Sequence, residues 1–488
     1  MENQHDTSRS RVELVASTGD ITVQDTSRAG SDSSANLDVC DQIRGYFETA
    51  QWTADGTTVL TYSSTNLVSG YIVPEDLLAP KTSPLHLTPQ TTIQLPEPSN
   101  VLASAPYFTL SEPYTNQILV SARDHPIQLY YLAPNASSSS STSPAHSPAA
   151  SYPFTKARSE TFISATSLIW PGPGSHFIAG ARNLLAKFDV SRPGASSEPV
   201  LRIKTIPSER HLSKGGGVGM RGTVSALGAQ PPESGSGASL VAAGTWTRWV
   251  GLYDFAQAGA CVAAWSIASA SDSTDSETGE AAAQRAIGGG GVTQTIWSPC
   301  GRYLLVGERR SRGVLVYDVR VAGRLLGWLD GPETRGNQRV LCDVFPGQQQ
   351  DGGFEVWSGT STHGLVRVWE GVGMREGPHG PSWEWRAHDP DSTVGAACVH
   401  PSGTVVATCS GSWAFDDDDR REGSAAASGT DGGSSSEGND STGDSDRTAW
   451  MWRRNMESSL KIWSLADISQ AEKVPEQLVG GELGADGL

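Results

Sequence analysis

The side chains best suited to chemistry are five arginines, Arg309, Arg310, Arg312, Arg335 and Arg339, in the short stretches ERRSR and ETRGNQR. A guanidinium presents a planar fork of donors that matches phosphate by paired hydrogen bonds, so several converging on one sector would suit a polyanion. Glu308 and Glu333 lie among them and dilute the charge, and an ordinary solvated loop is the competing reading. Other constellations fail their context tests. KGGGVGMRG (214–222) holds G-x-G-x-x-G at Gly217, Gly219 and Gly222, but the strand-like TVSALGAQPP follows it, so no helix start is available to receive a pyrophosphate. The histidines show no H-E-x-x-H or comparable ligand spacing, and His388 and His400 bracket a strand-like run. Nothing resembles G-x-S-x-G. The six cysteines, Cys40, Cys261, Cys300, Cys342, Cys398 and Cys409, lack C-x-x-C spacing, and most sit in apolar runs where a thiol behaves as a small hydrophobe. No catalytic group, cofactor, metal or small-molecule substrate is expected.

The elements that must position the arginines are repeats. VTQTIWSPCGRYLLVGERRSRGVLVYDV (292–319) reads as three short strands joined by a Pro/Gly turn and the ERRSR loop. Three antiparallel strands leave two faces and an edge uncovered, so such a unit must pack against others like it. Degenerate copies fill the chain, with third strands ending at Ile72, Tyr130, Phe188, Tyr253, Tyr317, Trp369 and Trp463. In the first copy, T-A-D-G stands where this one has S-P-C-G. The spacings of 58, 58, 65, 64, 52 and 94 residues all exceed the ~40–45 of a compact four-stranded blade. The excess falls in low-complexity segments at 136–151, 271–280 and 416–447. Room remains for an outer fourth strand, such as ACVAAWSI (260–267) or RLLGWL (324–329).

This pattern predicts an all-β fold: a single seven-bladed β-propeller over 46–466, with degenerate repeats, loop insertions and an acidic insert, 416–447, in the last blade. Residues 1–38 are expected to be mostly disordered and 467–488 to form a flexible tail. The tail makes a poor strand, so closing the ring needs the N-terminal segment, through RVELVAS (11–17) or the residues near Asp38 to Arg44. Tryptophans at strand positions, Trp52, Trp170, Trp297, Trp357, Trp369 and Trp463, are expected to pack between blades.

The net charge is −17, but it is unevenly spread. Segments 1–40, 270–285, 415–447 and 466–488 carry −4, −3, −7 and −4, or −18 together, which leaves the rest of the chain at +1. The acidity thus belongs to loops and tails, and a near-neutral scaffold remains open to nucleic acid. SDSTDSETGE places Thr274 ahead of Glu277, a pattern open to acidophilic phosphorylation, although a solvated linker accounts for it more simply. No run approaches ~18 apolar residues, and Met1 to Asp20 lacks an apolar signal core, so a soluble intracellular chain without membrane contact is expected.

The W-S-P-x-G turn and the third strand ending in Tyr317-Asp318 resemble WD repeats. No copy opens with Gly-His, so the side-chain hydrogen-bond network typical of that family is expected to be missing from most blades. ARDHPIQLYYL (122–132), ARNLLAKFDVSRPG (181–194), GNQRVLCDVFP (336–346) and CVHPSGTVVATCSG (398–411), in this order, resemble the telomerase Cajal body protein family over most of 46–465. That resemblance implies a non-enzymatic nuclear scaffold, with the cytoplasm as a further location. It would bind small nuclear RNA of Cajal-body type and ribonucleoprotein proteins, in telomerase or pre-mRNA splicing. A protein-only adaptor is the alternative. In a four-stranded antiparallel blade, the second-to-third-strand loop and the connection to the next blade emerge on one face. The five arginines occupy these two loops at blade 5, which makes them the candidate RNA-binding residues, and the acidic runs 272–280 and 416–440 emerge on the same face to compete.

Overall fold

The S-P-C-G turn shows how the first strand of blade 5 leads into its second. Tyr303 N donates to Ser298 Oγ at 3.0 Å, Gly301 N donates to Ser298 O at 2.8 Å, and Gly301 takes φ 66°, a left-handed conformation that glycine adopts without a Cβ clash. The first blade repeats this geometry at Thr53 and Gly56 (φ 71°), and the last at His400 and Gly403 (φ 72°). T-A-D-G, S-P-C-G and H-P-S-G are therefore one turn in three spellings.

The computed structural model describes residues 11–21, 45–132, 147–194, 198–206, 219–232, 240–267, 287–332, 334, 336–347, 353–412 and 457–466. Arg335, Glu333, Gly217, Thr274, Cys40, the second closing candidate and the segments 272–280, 416–447 and 467–488 lie outside these residues.

Seven antiparallel sheets form the blades of a β-propeller. Blade 1 runs Phe47–Trp52, Thr58–Ser63, Leu67–Ile72 and Thr91–Gln94; blade 2 runs Ser99–Ser104, Gln117–Ala122, Ile127–Tyr131 and Ala150–Tyr152. Blade 3 follows with Ser167–Ile169, His176–Ala181, Leu184–Asp189 and Leu201–Lys204, and blade 4 with Val224–Ala229, Leu240–Thr245, Trp249–Asp254 and Ala260–Ser266. Blade 5 comprises Val292–Trp297, Tyr303–Glu308, Gly313–Asp318 and Arg324–Asp330, and blade 6 Cys342–Pro346, Phe354–Gly359, Leu365–Val372 and Trp383–Arg386. Blade 7 has Val394–Val399, Val405–Ser410 and Leu460–Ala466, and the ring is closed by Arg11–Ser17, which pairs antiparallel with Leu460–Ala466 from Arg11 opposite Ala466 to Ser17 opposite Lys461. RVELVAS is thus the closing strand.

Two blades carry a fifth strand that a four-strand pattern does not anticipate. Leu85–His86 runs parallel to Arg11–Ser17, and Gly377–His379 runs parallel to Arg324–Asp330. Each comes from the long third-to-fourth-strand connection of the following blade around the ring.

Second and third strands are buried on both faces because a blade is sandwiched between two others, which is why they read as unbroken apolar runs; in blade 5, all six residues of Gly313–Asp318 are buried. Blades interlock through large rings. Tyr152 of blade 2 meets Phe177 of blade 3 edge-on at 5.0 Å, and Trp357, Trp383, Trp385 and Trp463 form a chain of contacts from blade 6 into blade 7. Trp52 Nε1 donates to Cys398 O across the closure at 3.0 Å, and Trp297 Nε1 donates to Gly228 O from blade 5 to blade 4 at 3.0 Å. The Trp52 and Trp297 indoles bury area and satisfy their one donor at the same time.

One side-chain network survives in blade 7. His388 is fully buried, with Nδ1 3.1 Å from Ser459 Oγ and Nε2 2.9 Å from Thr408 Oγ1; Trp463 Nε1 also donates to Thr408 Oγ1 at 2.9 Å. Ser459 Oγ and Lys461 Nζ both reach Glu457 Oε1 at 2.6 Å. Burial alone would push the Glu457 carboxyl up, but the bonds from His388, Lys461 and Ser459 outweigh it and hold the carboxyl well below its usual range. Burial also lowers the His388 pKa. The opening here is Ala-His, not Gly-His, which hid the network from motif reading.

Candidate nucleic-acid interface

Strand direction puts the second-to-third-strand turns and the blade-to-blade connections on one face of the ring, here called the upper face. At blade 5 that turn is 309–312, between Tyr303–Glu308 and Gly313–Asp318. Its backbone is fixed from both sides. Gly290 N donates to Arg309 O at 2.8 Å and Arg312 N to Ile287 O at 2.7 Å, while Ser311 N donates to Thr334 Oγ1 at 2.8 Å. Thr334 Oγ1 reaches Glu308 O at 3.0 Å and Ser311 O at 2.8 Å. Arg310 takes φ 54°, the left-handed region, so the turn is tight.

Behind the turn lies a buried ion pair. Arg248, from the corresponding turn of blade 4, donates through Nε to Glu308 Oε1 at 2.8 Å and through Nη2 to Oε2 at 2.9 Å. Glu308 is 2% exposed at its side chain. Burial pushes its carboxyl up, and the Arg248 bonds and the Gly291 amide counter this. A side chain at Gly289, where φ is 138°, would overlap this carboxylate, so the glycine run 288–291 lets the connection close over the pair. Glu308 therefore does not dilute the arginine cluster in the way its sequence neighbourhood implied; its charge is spent on Arg248.

The four arginines among the described residues are not brought to one spot. Arg310 and Arg312 are exposed, and Arg310 also reaches the rim of the axial channel. Arg309 turns toward blade 4, where its guanidinium lies 5.7 Å from the Trp246 ring centre and its Nε donates to Gly290 O at 2.9 Å. Arg339 is half-buried in the channel, where burial pushes its pKa down and the charge of Glu48 from blade 1 opposes that shift. Burial likewise raises the Glu48 carboxyl, with Arg339 countering. Beside it, Gln338 Nε2 donates to Gly411 O of blade 7 at 2.6 Å. The N-Q-R stretch thus ties the entry of blade 6 to blades 7 and 1.

The channel has a volume of about 1330 Å³ and is walled by first strands, with Gln51, Ser225, Gln294 and Thr295 among its polar lining. Of the G-x-G-x-x-G stretch, Gly219 and Gly222 fall among the described residues. Gly222 packs against Thr247 and accepts a turn hydrogen bond from Asn183 N at 2.9 Å, and a strand follows. Among the described residues no group of three His, Cys, Asp or Glu is placed to hold a metal, and no helix is long and apolar enough to cross a membrane.

Sequence reading passed over Trp246. The expected packing tryptophans Trp170, Trp297, Trp357, Trp369 and Trp463 are buried, and Trp52 is half-buried against His400, whereas Trp246 is 38% exposed on the upper face. Its position in TWTR, between two apolar strands, was the available signal.

Seven antiparallel blades, with this first turn in blades 1, 5 and 7, define a WD-type β-propeller built from degenerate repeats. Within that class the chain is similar to the telomerase Cajal body proteins. It is 26% identical over 380 residues to "Telomerase Cajal body protein 1" of Bos taurus, covering 77% of this chain and 59% of that one. "Guanine nucleotide-binding protein negative regulator 1" of Schizosaccharomyces pombe is 26% identical over 337 residues, 68% of this chain and 73% of that one. "Protein SWT21" of Vanderwaltozyma polyspora is 24% identical over 317 residues, 62% of each. The chain therefore spans less than two thirds of the bovine relative. No family model matches it.

Proposed function

We propose that the chain is a non-catalytic propeller scaffold that binds small nuclear RNA of Cajal-body type and assists a nuclear ribonucleoprotein, of the telomerase or splicing kind, in its localisation or assembly. The observation that carries this reading is the blade 5 turn, where Arg310 and Arg312 face solvent while Glu308 is neutralised by Arg248. Two outward guanidiniums on a rigid turn suit phosphate contact. The Bos taurus relative's name supports the ribonucleoprotein setting and, with it, the nucleus. A protein-only adaptor is the second reading. It is favoured by the exposed Leu78, Tyr107 and Tyr114 in loops of the opposite face, and by the name of the Schizosaccharomyces pombe relative. Crosslinking the tagged protein in cells and sequencing the bound RNA tests the proposal. Enrichment of small nuclear RNAs over a mock sample is the expected result; their absence would overturn it in favour of the adaptor.

A further inference from the structure

The upper-face turns of blades 3, 4 and 5 are hydrogen-bonded to the connections that run between them. Asn183 N donates to Gly222 O at 2.9 Å, Trp246 N to Thr223 O at 3.1 Å, and Arg309 N to Gly291 O at 3.0 Å, while Arg248 binds Glu308. Among the described residues, three exposed cations stand along this wall, Arg182 in the turn of blade 3 and Arg310 and Arg312 in that of blade 5, with the exposed Asp330 beside Arg312. Between them is Trp246, which keeps 38% of its surface exposed in a molecule whose other described tryptophans are buried or half-buried. Arg309 lies against its ring and is itself held by Gly290, so the indole is presented by a fixed support. The exposed part of the indole gains nothing for the fold by staying in water; a flat ring flanked by guanidiniums matches a nucleobase flanked by phosphates.

We propose that Trp246 is a stacking platform for an unpaired base of a bound RNA strand that crosses blades 3 to 5, its phosphates held at Arg182 on one side and at Arg310 and Arg312 on the other. This rests on the RNA-binding reading above and adds to it the form of the ligand, because stacking requires a base that is not already paired. A duplex offers phosphates alone.

The test compares wild type with Trp246→Ala, Trp246→Phe and Arg310→Glu/Arg312→Glu, using a short unstructured RNA and the same strand annealed to its complement, across a salt series. Thermal melts of each variant check folding, which replacing an exposed indole should leave unchanged. Trp246→Ala should weaken binding of the unpaired strand by at least about fivefold, the lower end of what losing one base stack costs. It should leave the salt slope and duplex binding as in wild type, and Trp246→Phe should recover most of the loss. The arginine variant should flatten the slope instead. Unchanged affinity in Trp246→Ala while the arginine variant is impaired would overturn the stacking proposal alone. So would equal losses for strand and duplex. Failure of the wild-type protein to bind either RNA would overturn the RNA reading itself, and the stacking proposal with it.

Discussion

Blades 5 and 7 share one sheet plan and fill the space at the upper ends of their second and third strands in opposite ways. Blade 7 fills this space with a buried polar network, His388, Ser459, Glu457, Lys461, Thr408 and Trp463, and takes its outer strand from the distant N-terminal segment. Blade 5 is continuous, apolar through its second and third strands, and anchored by one ion pair from blade 4. The difference teaches that a turn whose backbone is fixed by its neighbours, and whose adjoining acid is paired elsewhere, is free to present charge. Where Glu457 and Lys461 are turned to each other, blade 5 shows Arg310 and Arg312 to solvent.

The comparison breaks most violently at the closure. Removing residues 1–21 should produce the largest fall in thermal midpoint, because blade 7 would lose a whole strand's backbone pairing, the burial of Ala16 and the packing of Val12 and Leu14 around Trp463. Fully burying one aliphatic side chain is worth ~1.5–3 kcal/mol, and an unpaired edge adds a site for aggregation. An unchanged midpoint would mean that the ring does not depend on this strand.

Next in size is Arg248→Ala, which leaves the Glu308 carboxylate buried without its partner, at a cost of ~3–5 kcal/mol. The Glu308 folded-state pKa is raised above 4.5, so it leaves the fold most stable below 4.5 and costs stability as pH rises through the folded value. The deficit of Arg248→Ala in thermal melts should therefore shrink as pH falls toward 4.5. A deficit independent of pH would show that the packing of the arginine stem, not its charge, is responsible.

Blade 7 should respond to acid in the reverse sense. The His388 folded-state pKa is depressed below 6.5 and that of Glu457 below 4.5, so both contributions are present at neutral pH and are lost as pH falls, the first below 6.5 and the second below 4.5. His388→Ala should cost ~1–3 kcal/mol at neutral pH through the partners left unsatisfied, and should remove the first of the two acid-linked losses. The smallest effect is expected for deletion of 416–447 from the turn of blade 7. Doubling a loop changes its closure by only ~0.6 kcal/mol, so the midpoint should scarcely move in the same melts.

Much of this architecture was legible because a blade buried on both faces leaves apolar runs in the chain. Tyr303–Glu308 and Gly313–Asp318 announce themselves, and T-A-D-G and S-P-C-G mark equivalent turns. RVELVAS could be named as a closing candidate because the C-terminal tail makes a poor strand, but the choice between the candidates needed the partner strand. Leu85–His86 and Gly377–His379 are too short to carry any period. The interface was legible only as composition. That Glu308 belongs to Arg248, that Arg309 rests on Trp246, and that Arg339 faces Glu48 all depend on neighbours far along the chain that only blade stacking brings together. The His388 network escaped for the same reason, its members spread from residue 388 to 463 across an insertion.

The central claim, that the upper turn of blade 5 is an RNA-binding surface, is tested most directly by measuring the affinity of a single-stranded small nuclear RNA for wild type and for Arg310→Glu/Arg312→Glu over a range of salt. The account predicts weaker binding by the variant and a shallower dependence of log affinity on log salt, by ~0.7 for each phosphate that the variant no longer neutralises, with an unaltered melting midpoint. Affinity and slope both equal to those of wild type would contradict it.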